Sequence, residues 1–443
     1  MREVREMSPL ADEKQAAQAY LYGYPLVYDL DEVEGFVTGH SSLPVGGPFN
    51  QFVHARDLLG PETAFVSPNN DTLYTIAMCD VREGPLVLHV PDTNGRYYVL
   101  QFVDAWTNNF AYVGRRATGT KEAQFLLTTG PAEAAPDGAQ VITVPTGVFS
   151  IVGRVQVDGK ADLDAVHALQ DQFTLTAVGS EAGAIAGVPG PDPKVGKGLE
   201  WWEKFRTRLA AFPPPPADTP FLAICEQIGL AAVTSPYVDP DPELATLLGD
   251  AQKAGEQLID QLLQGGGQLR NGWRDAAHIF DYNLDFFEVG TINRSEWKIS
   301  DRLTAYATRA VAARAGLWGN HGYEADYQWT TVDADGNDLS GAQAYELRLD
   351  TPPPVDAFWS LTMYDVPNFH LVANPIDRYS IGDRTPGLVT ADDGSTTIFM
   401  QHDAPGGTRD ANWLPTPKGK FRPLLRLYQP TGDYETPAIT RVA

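Results

Sequence analysis

Cysteine is scarce in this chain: Cys79 and Cys225 are the only two among 443 residues. Two thiols cannot build a disulfide framework or a cysteine zinc site, so a packed core must hold the fold. Two buried free thiols are expected rather than one bridge. Long apolar runs are also missing, and nothing approaches the ~18 consecutive apolar residues of a membrane-spanning helix. The opening MREVREMSPLADEKQAAQAY contains no apolar segment of the signal-peptide kind. Basic residues are in deficit: 33 Lys and Arg against 57 Asp and Glu leave a net charge of −24. That balance argues against a nucleic-acid footprint and against docking on anionic membranes. A cytoplasmic protein that binds neither nucleic acid nor membrane is the expectation. The common catalytic signatures are absent too: there is no GxSxG elbow, no HExxH, no GxGxxG and no Walker A loop.

What is present is ordinary globular composition, 43% apolar and 20% charged, with 41 glycines and 34 prolines that point to many turns. Four zones are expected: an N-terminal helix and loop (1–60), a β domain (61–160), a helical subdomain (161–320) and a second β domain (321–443). In the first, Ala16, Ala19, Tyr20 and Gly23 keep helical spacing, and Gly23 and Pro25 are expected to end or kink the helix. In the second, LYTIAMCDV, PLVLHV, RYYVLQFVDA, NFAYVG, QFLLTT, AQVITV and GVFSIVGRVQV recur at short spacing between turn clusters. Sequential short strands without intervening helices favour an antiparallel sandwich over a parallel α/β sheet. The third zone changes period. Val166, Leu169 and Phe173 form one helical stripe, with Asp162 placed as its N-cap. Leu244 through Leu263 forms a longer stripe stopped by the glycines at 265–267, and Leu303 to Leu317 a third. The fourth zone returns to strands, and in FWSLTMY the residues Trp359, Leu361 and Met363 share one face.

Several constellations could carry chemistry. Asn70 and Asp71, in SPNNDT, put a carboxylate among amides at a strand start, suited to a proton or a ligand hydroxyl. His54 and Arg56 lie upstream, and a His54–Asp71 couple would serve acid–base catalysis if the two met. Arg96 and Tyr98 open the most aromatic strand, followed by Asp104 and Trp106; rings interleaved with polar groups suit a polyol or other polar ligand. Arg115 sits in a donor-rich loop that could clamp an anion or pair with the chain's own acids. Arg378 and Tyr379 are the corresponding candidates in the last zone. Asp333, Asp335, Asn337 and Asp338 resemble a calcium loop, but the glycine comes too early and no closing glutamate follows, which favours a hairpin turn. Ser295 to Lys298 has SxxK spacing without a KTG partner.

The strings AYLYGYPLV, SPNNDTLYTIAMCDV, PDTNGRYYVLQFVDAWTNNFAYVGRRATGT and PTGVFSIVGR resemble domain-of-unknown-function family 1254. FWSLTMYD, NPIDRYSIGDRTPGL, DDGSTTIFMQHDAP, ANWLPTPKG and FRPLLRLYQP resemble family 1214, its usual C-terminal companion. The resemblance implies a mainly β protein with a helical insert: an N-terminal immunoglobulin-like β-sandwich, a central α-helical subdomain and a C-terminal jelly-roll-like β-sandwich. It implies no settled activity and no agreed catalytic residues.

From the residues, the leading expectation is a hydrolase or lyase without an organic cofactor, acting on a polar or anionic small molecule or glycan. His54 and Asp71 would move the proton. Arg56, Asn70, Arg96, Tyr98, Asp104, Trp106, Arg115, Arg378 and Tyr379 would bind the substrate. The alternatives are a glycan or small-ligand binding protein without turnover, and an assembly or scaffold protein, with a homodimer as the simplest oligomer. A calcium or magnesium ion would suit the acidic, oxygen-rich loops better than zinc.

Overall fold

The computed structural model describes residues 11–41, 45–62, 67–130, 135–179, 185–265, 268–275, 278–286, 298–299 and 301–442. Ser295 of the SxxK pattern and the last two glycines of the 265–267 run lie outside them.

The N-terminal β region has nine strands: β1 (Val53–His54), β2 (Thr72–Asp80), β3 (Leu86–Val90), β4 (Tyr98–Asp104), β5 (Asn109–Gly114), β6 (Ala123–Thr128), β7 (Gln140–Thr143), β8 (Val148–Gln156) and β9 (Thr174–Ala177). They form a five-stranded sheet, β1-β2-β8-β4-β5, and a four-stranded sheet, β7-β6-β3-β9. Every pairing is antiparallel except β6 with β7. Strand periodicity explains how the two sheets meet. Leu73, Ala77 and Cys79 of β2 point inward with Leu100 and Phe102 of β4, onto Leu88 and Phe125 of the second sheet. Ile76 and Met78, one residue out of phase, face the helices instead. The five-stranded sheet is thus covered on both sides, and all seven residues of β4 are buried.

The C-terminal β region repeats this logic. Its strands are β10 (Gln268–Arg270), β11 (Trp273–Asp275), β12 (Ala325–Trp329), β13 (Tyr345–Leu349), β14 (Val355–Asp365), β15 (Ser380–Gly382), β16 (Thr396–Gln401), β17 (Trp413–Pro415), β18 (Phe421–Pro430) and β19 (Thr440–Arg441). A six-stranded sheet, β10-β11-β12-β18-β14-β15, shares a core with a four-stranded one, β17-β16-β13-β19. Trp359, Leu361 and Met363 do share the inner face, packed with Leu425, Leu427, Ile398 and Met400. Two pieces of this β structure, β9 and β10–β11, come from the stretch that the sequence reads as purely helical. They are too short, at three or four residues, to show a period.

The helices are α1 (Glu13–Thr38), α2 (Leu163–Gln170), α3 (Glu200–Ala211), α4 (Thr219–Gln227), α5 (Pro242–Gly265) and α6 (Arg302–Gly316). The expected stop at Gly23 and Pro25 does not occur, and α1 runs 26 residues through both. A capping box between Asp12 and Gln15 starts it, and Gly39, at φ 79°, ends it in the left-handed conformation. Tertiary burial overrides the local breakers. The helix is buried on nearly all sides by α3, α4, α5 and α6. At Gly23 a Cβ would fall 2.4 Å from the Phe205 ring, so glycine permits the close approach. Asp162 precedes α2 but does not cap it; its carboxylate is taken by Arg96. The architecture is mixed α/β, with N- and C-terminal β sheets flanking a helical region.

Candidate functional site

The residues singled out in the sequence go to separate places. His54, on β1, shares a hydrogen bond between Nδ1 and Thr75 Oγ1 at 3.2 Å. Burial, then the adjacent Arg56, lower its pKa to about 4, so the ring is neutral at pH 7. Asp71 is buried against the other β region: its Oδ2 accepts from Ser360 Oγ at 2.6 Å and Tyr428 OH at 3.2 Å, and Arg384 lies 3.8 Å from Oδ1. No hydrogen bond or ion pair joins His54 to Asp71 among the described residues. Arg56 pairs with Asp171, and Arg96 is held by Asp162 at 2.5 and 2.8 Å. Asp104 closes a turn by accepting from the backbone of Trp106 and Asn108. Trp106 donates to the Phe212 carbonyl, and Tyr98 lies in the sandwich core. Asn70 is half-buried at the end of the SPNN segment. Arg378 donates to the carbonyls of Asp410, Ala411 and Trp413, while Tyr379 donates to Asp377. Arg115 donates to Asp356 O and Gln429 Oε1, and Arg116 to the carbonyls of Tyr323, Gln429 and Pro430. That loop fastens one β region to the other.

A cavity of about 1270 Å³ opens where the helices meet both β regions, and none of the eleven site residues expected from the sequence lines it. The SPNNDT loop does reach it, through Ser67 and Asn69. One side is helical: Ala17 and Leu21 of α1, Leu258 and Leu262 of α5, and Leu303 and Val311 of α6. The other side is polar and comes from strands. Arg422, Leu424, Arg426 and Tyr428 project from the same face of β18 at spacing two, and the pairing Tyr327↔Arg426 puts Tyr327 of β12 beside them. Tyr74 and Arg154, paired across β2 and β8, add the outer face of the N-terminal sheet.

Five arginines line the hollow. Arg314 reaches Asp260 at 3.9 Å, whereas Arg154, Arg422 and Arg426 form no ion pair among the described residues. Arg154 is satisfied by neutral acceptors: Gln101 Oε1 at 3.2 Å, Asn320 Oδ1 at 3.4 Å and Trp318 O at 3.1 Å. Arg426 donates to Thr362 Oγ1, Ser67 O and the Tyr364 hydroxyl at 2.8–2.9 Å. Arg422 donates to Ser67 Oγ and lies over the Phe369 ring at 3.8 Å, leaving its buried Nε without a partner. Burial, together with repulsion from Arg426, lowers the Arg422 pKa to about 10. Asp71 is the carboxylate that acts on Arg426, and it does so from behind Tyr428 and Ser360.

The cavity also touches Asp326, which alternates to the opposite face of β12 from Tyr327. Asp326 Oδ2 accepts from Gln328, and its buried Oδ1 has no partner. Burial first, then the Asp275 carboxylate, hold this carboxyl well above the ordinary range, which keeps it protonated to higher pH. His278 Nδ1 lies 2.5 Å from Asp281 Oδ2 close by. Among the described residues no group of three or more His, Cys, Asp or Glu could hold a metal ion. The calcium-like loop is a turn, in which Asp333 Oδ1 accepts from the backbone of Asp335 and Asn337. No helix among the described residues is long and apolar enough to cross a membrane.

Residues 49–177 match the model of a protein family of unknown function, DUF1254, and residues 324–432 match that of a second, DUF1214. Arg154 falls in the first segment and Arg422 and Arg426 in the second, whereas the helical side of the cavity falls in neither. The crystal structure of the VPA0106 protein from Vibrio parahaemolyticus is similar over 98% of this chain and 100% of that one, with a TM-score of 0.75 and 24% identity. An uncharacterized protein from Burkholderia cenocepacia aligns over 97% of this chain and 93% of its own, with a TM-score of 0.46 and 12% identity. A search among curated proteins finds no match.

Proposed function

For a chain that joins a DUF1254 domain to a DUF1214 domain, both of unknown function, we propose that the cavity is a binding site for a small organic anion. One observation carries this reading: Arg154, Arg422 and Arg426 line a single hollow without an ion-pair partner among the described residues, in a chain of net charge −24. Surplus acids are plentiful elsewhere and neutralise most other arginines. Burying guanidinium groups without an anion is costly, and a bound oxyanion would offset that cost through paired, charge-assisted hydrogen bonds. We read the two β regions as immunoglobulin-like and jelly-roll-like; two facing sheets around a shared core in each support that reading.

Titration calorimetry with small carboxylates and phosphate esters tests the anion site. Arg422→Gln should weaken binding by about 10- to 100-fold, the range of one charge-assisted hydrogen bond. Unchanged affinity in that variant would remove the reading.

A second reading, a hydrolase or lyase working on the same anion, is favoured by Asp326. A carboxyl that stays protonated near neutral pH, with Asp275 and His278 nearby, suits general acid catalysis. Asp326→Asn should then lower turnover of any consumed anion by about 100-fold or more while leaving its binding intact. Mass spectrometry of an anion panel after incubation reads this directly, and equal turnover by both proteins would exclude that role.

A further inference from the structure

We infer that the ligand of this cavity is an amphipathic oxyanion, with a carboxylate or phosphate head on Arg422 and Arg426 and an apolar chain lying along α5 and α6. The inference rests on the anion-binding reading above and adds the rest of the molecule. Its basis is the helical side. Leu258, Leu262 and Leu263 of α5 keep 40%, 41% and 39% of their surface exposed, and Leu303 of α6 keeps 37%. Scattered exposed leucines need no explanation. These four all line the same cavity, and the three on α5 fall at i, i+4 and i+5, one stripe of the helix.

An apolar stripe left partly open beside a cationic wall is a two-part surface. A small polar anion would cover the arginines and leave the leucines wet. An uncharged apolar molecule would do the reverse. The cavity, at about 1270 Å³, also exceeds the ~300–1,000 Å³ of ordinary small-ligand sites, so head and chain both have room.

The test is a homologous series, butanoate through decanoate, titrated calorimetrically into the full chain, with decyl phosphate as the second head group. Affinity should climb by about fourfold per added methylene, the increment for moving a CH₂ out of water. Leu262→Glu should flatten that climb. Arg422→Gln should weaken every member by a similar factor and leave the climb unchanged. Whichever head binds more tightly at equal chain length identifies the oxyanion. A series that binds with no dependence on length overturns this inference and leaves the anion site standing. Failure of every carboxylate and phosphate to bind overturns the anion site itself.

Discussion

Alanine in place of Asp71 is expected to cost about 3–5 kcal/mol of stability, the range for removing one member of a buried, hydrogen-bonded charge network. Asp71 is 4% exposed and takes hydrogen bonds from Ser360 and Tyr428, both on the far side of the junction between the β regions. Its backbone carbonyl accepts from Arg384 at 3.4 Å. Truncation would leave two hydroxyls and a guanidinium facing a void, with nothing local to replace the lost acceptor. Asp71→Asn keeps one oxygen and the shape, so it should cost less than the alanine variant. Denaturant unfolding measures both. A role confined to catalysis would leave the midpoints of both variants at the wild-type value, and that result would refute the structural assignment.

The second large effect is a pH dependence centred on Glu324. This side chain is 1% exposed at the junction, and burial raises its pKa to about 7, even though the Tyr97 hydroxyl and Arg116 act in the other direction. In the unfolded chain the same carboxyl titrates near ~4.3. The folded state therefore binds the proton more tightly, and stability falls as the pH rises between these two values. The contribution is complete below about pH 4 and lost above about 7. The difference amounts to roughly 4 kcal/mol at ~1.4 kcal/mol per unit. Glu324→Gln removes the titration. Its stability relative to wild type should therefore improve by about that amount between pH 4 and 8. Parallel pH profiles for the two proteins would show that this carboxyl does not titrate as described.

Much of the fold was legible because its signals are local. LYTIAMCDV and FWSLTMY both read as strands, alternation in the second also gave its facing, and the i, i+3, i+4 leucines gave α5 almost to the residue. The failures came where distant packing decided the outcome. Gly23 and Pro25 look like a helix end until Phe205 and the surrounding helices bury them. Asp162 looks like a cap until Arg96, far along the chain, claims its carboxylate.

The site was less legible for the same reason. The sequence singles out Arg56 beside His54, Arg96 and Arg378 beside aromatics and Arg115 in a donor-rich loop, and in the structure all four are taken up by the protein's own carboxylates, carbonyls or amides. Two of the cavity arginines, Arg422 and Arg426, stand in FRPLLRLYQP, a segment read as a strand and for its family resemblance but not for chemistry. A usable signal was present there. Arg422, Leu424, Arg426 and Tyr428 repeat at spacing two, which places two cations on one face of a strand whose other face is core. A strand that directs charge inward is unusual enough to mark a site. Asp71 lies one hydrogen bond behind the cavity wall, where Tyr428 donates to its carboxylate. The helical side of the cavity could not be assembled from sequence, since α1, α5 and α6 converge only in three dimensions.

The loop that joins the two β regions has an uneven tolerance for change. Arg116 fastens onto the main-chain oxygens of Tyr323, Gln429 and Pro430, and every amino acid carries that oxygen. Substitutions at those three positions leave the acceptors in place so long as the backbone keeps its path. Position 116 has no such freedom: a lysine there offers one point of contact where a planar fork now serves several. Drift in the receiving half is thus absorbed silently, whereas drift in the donating half is felt at once.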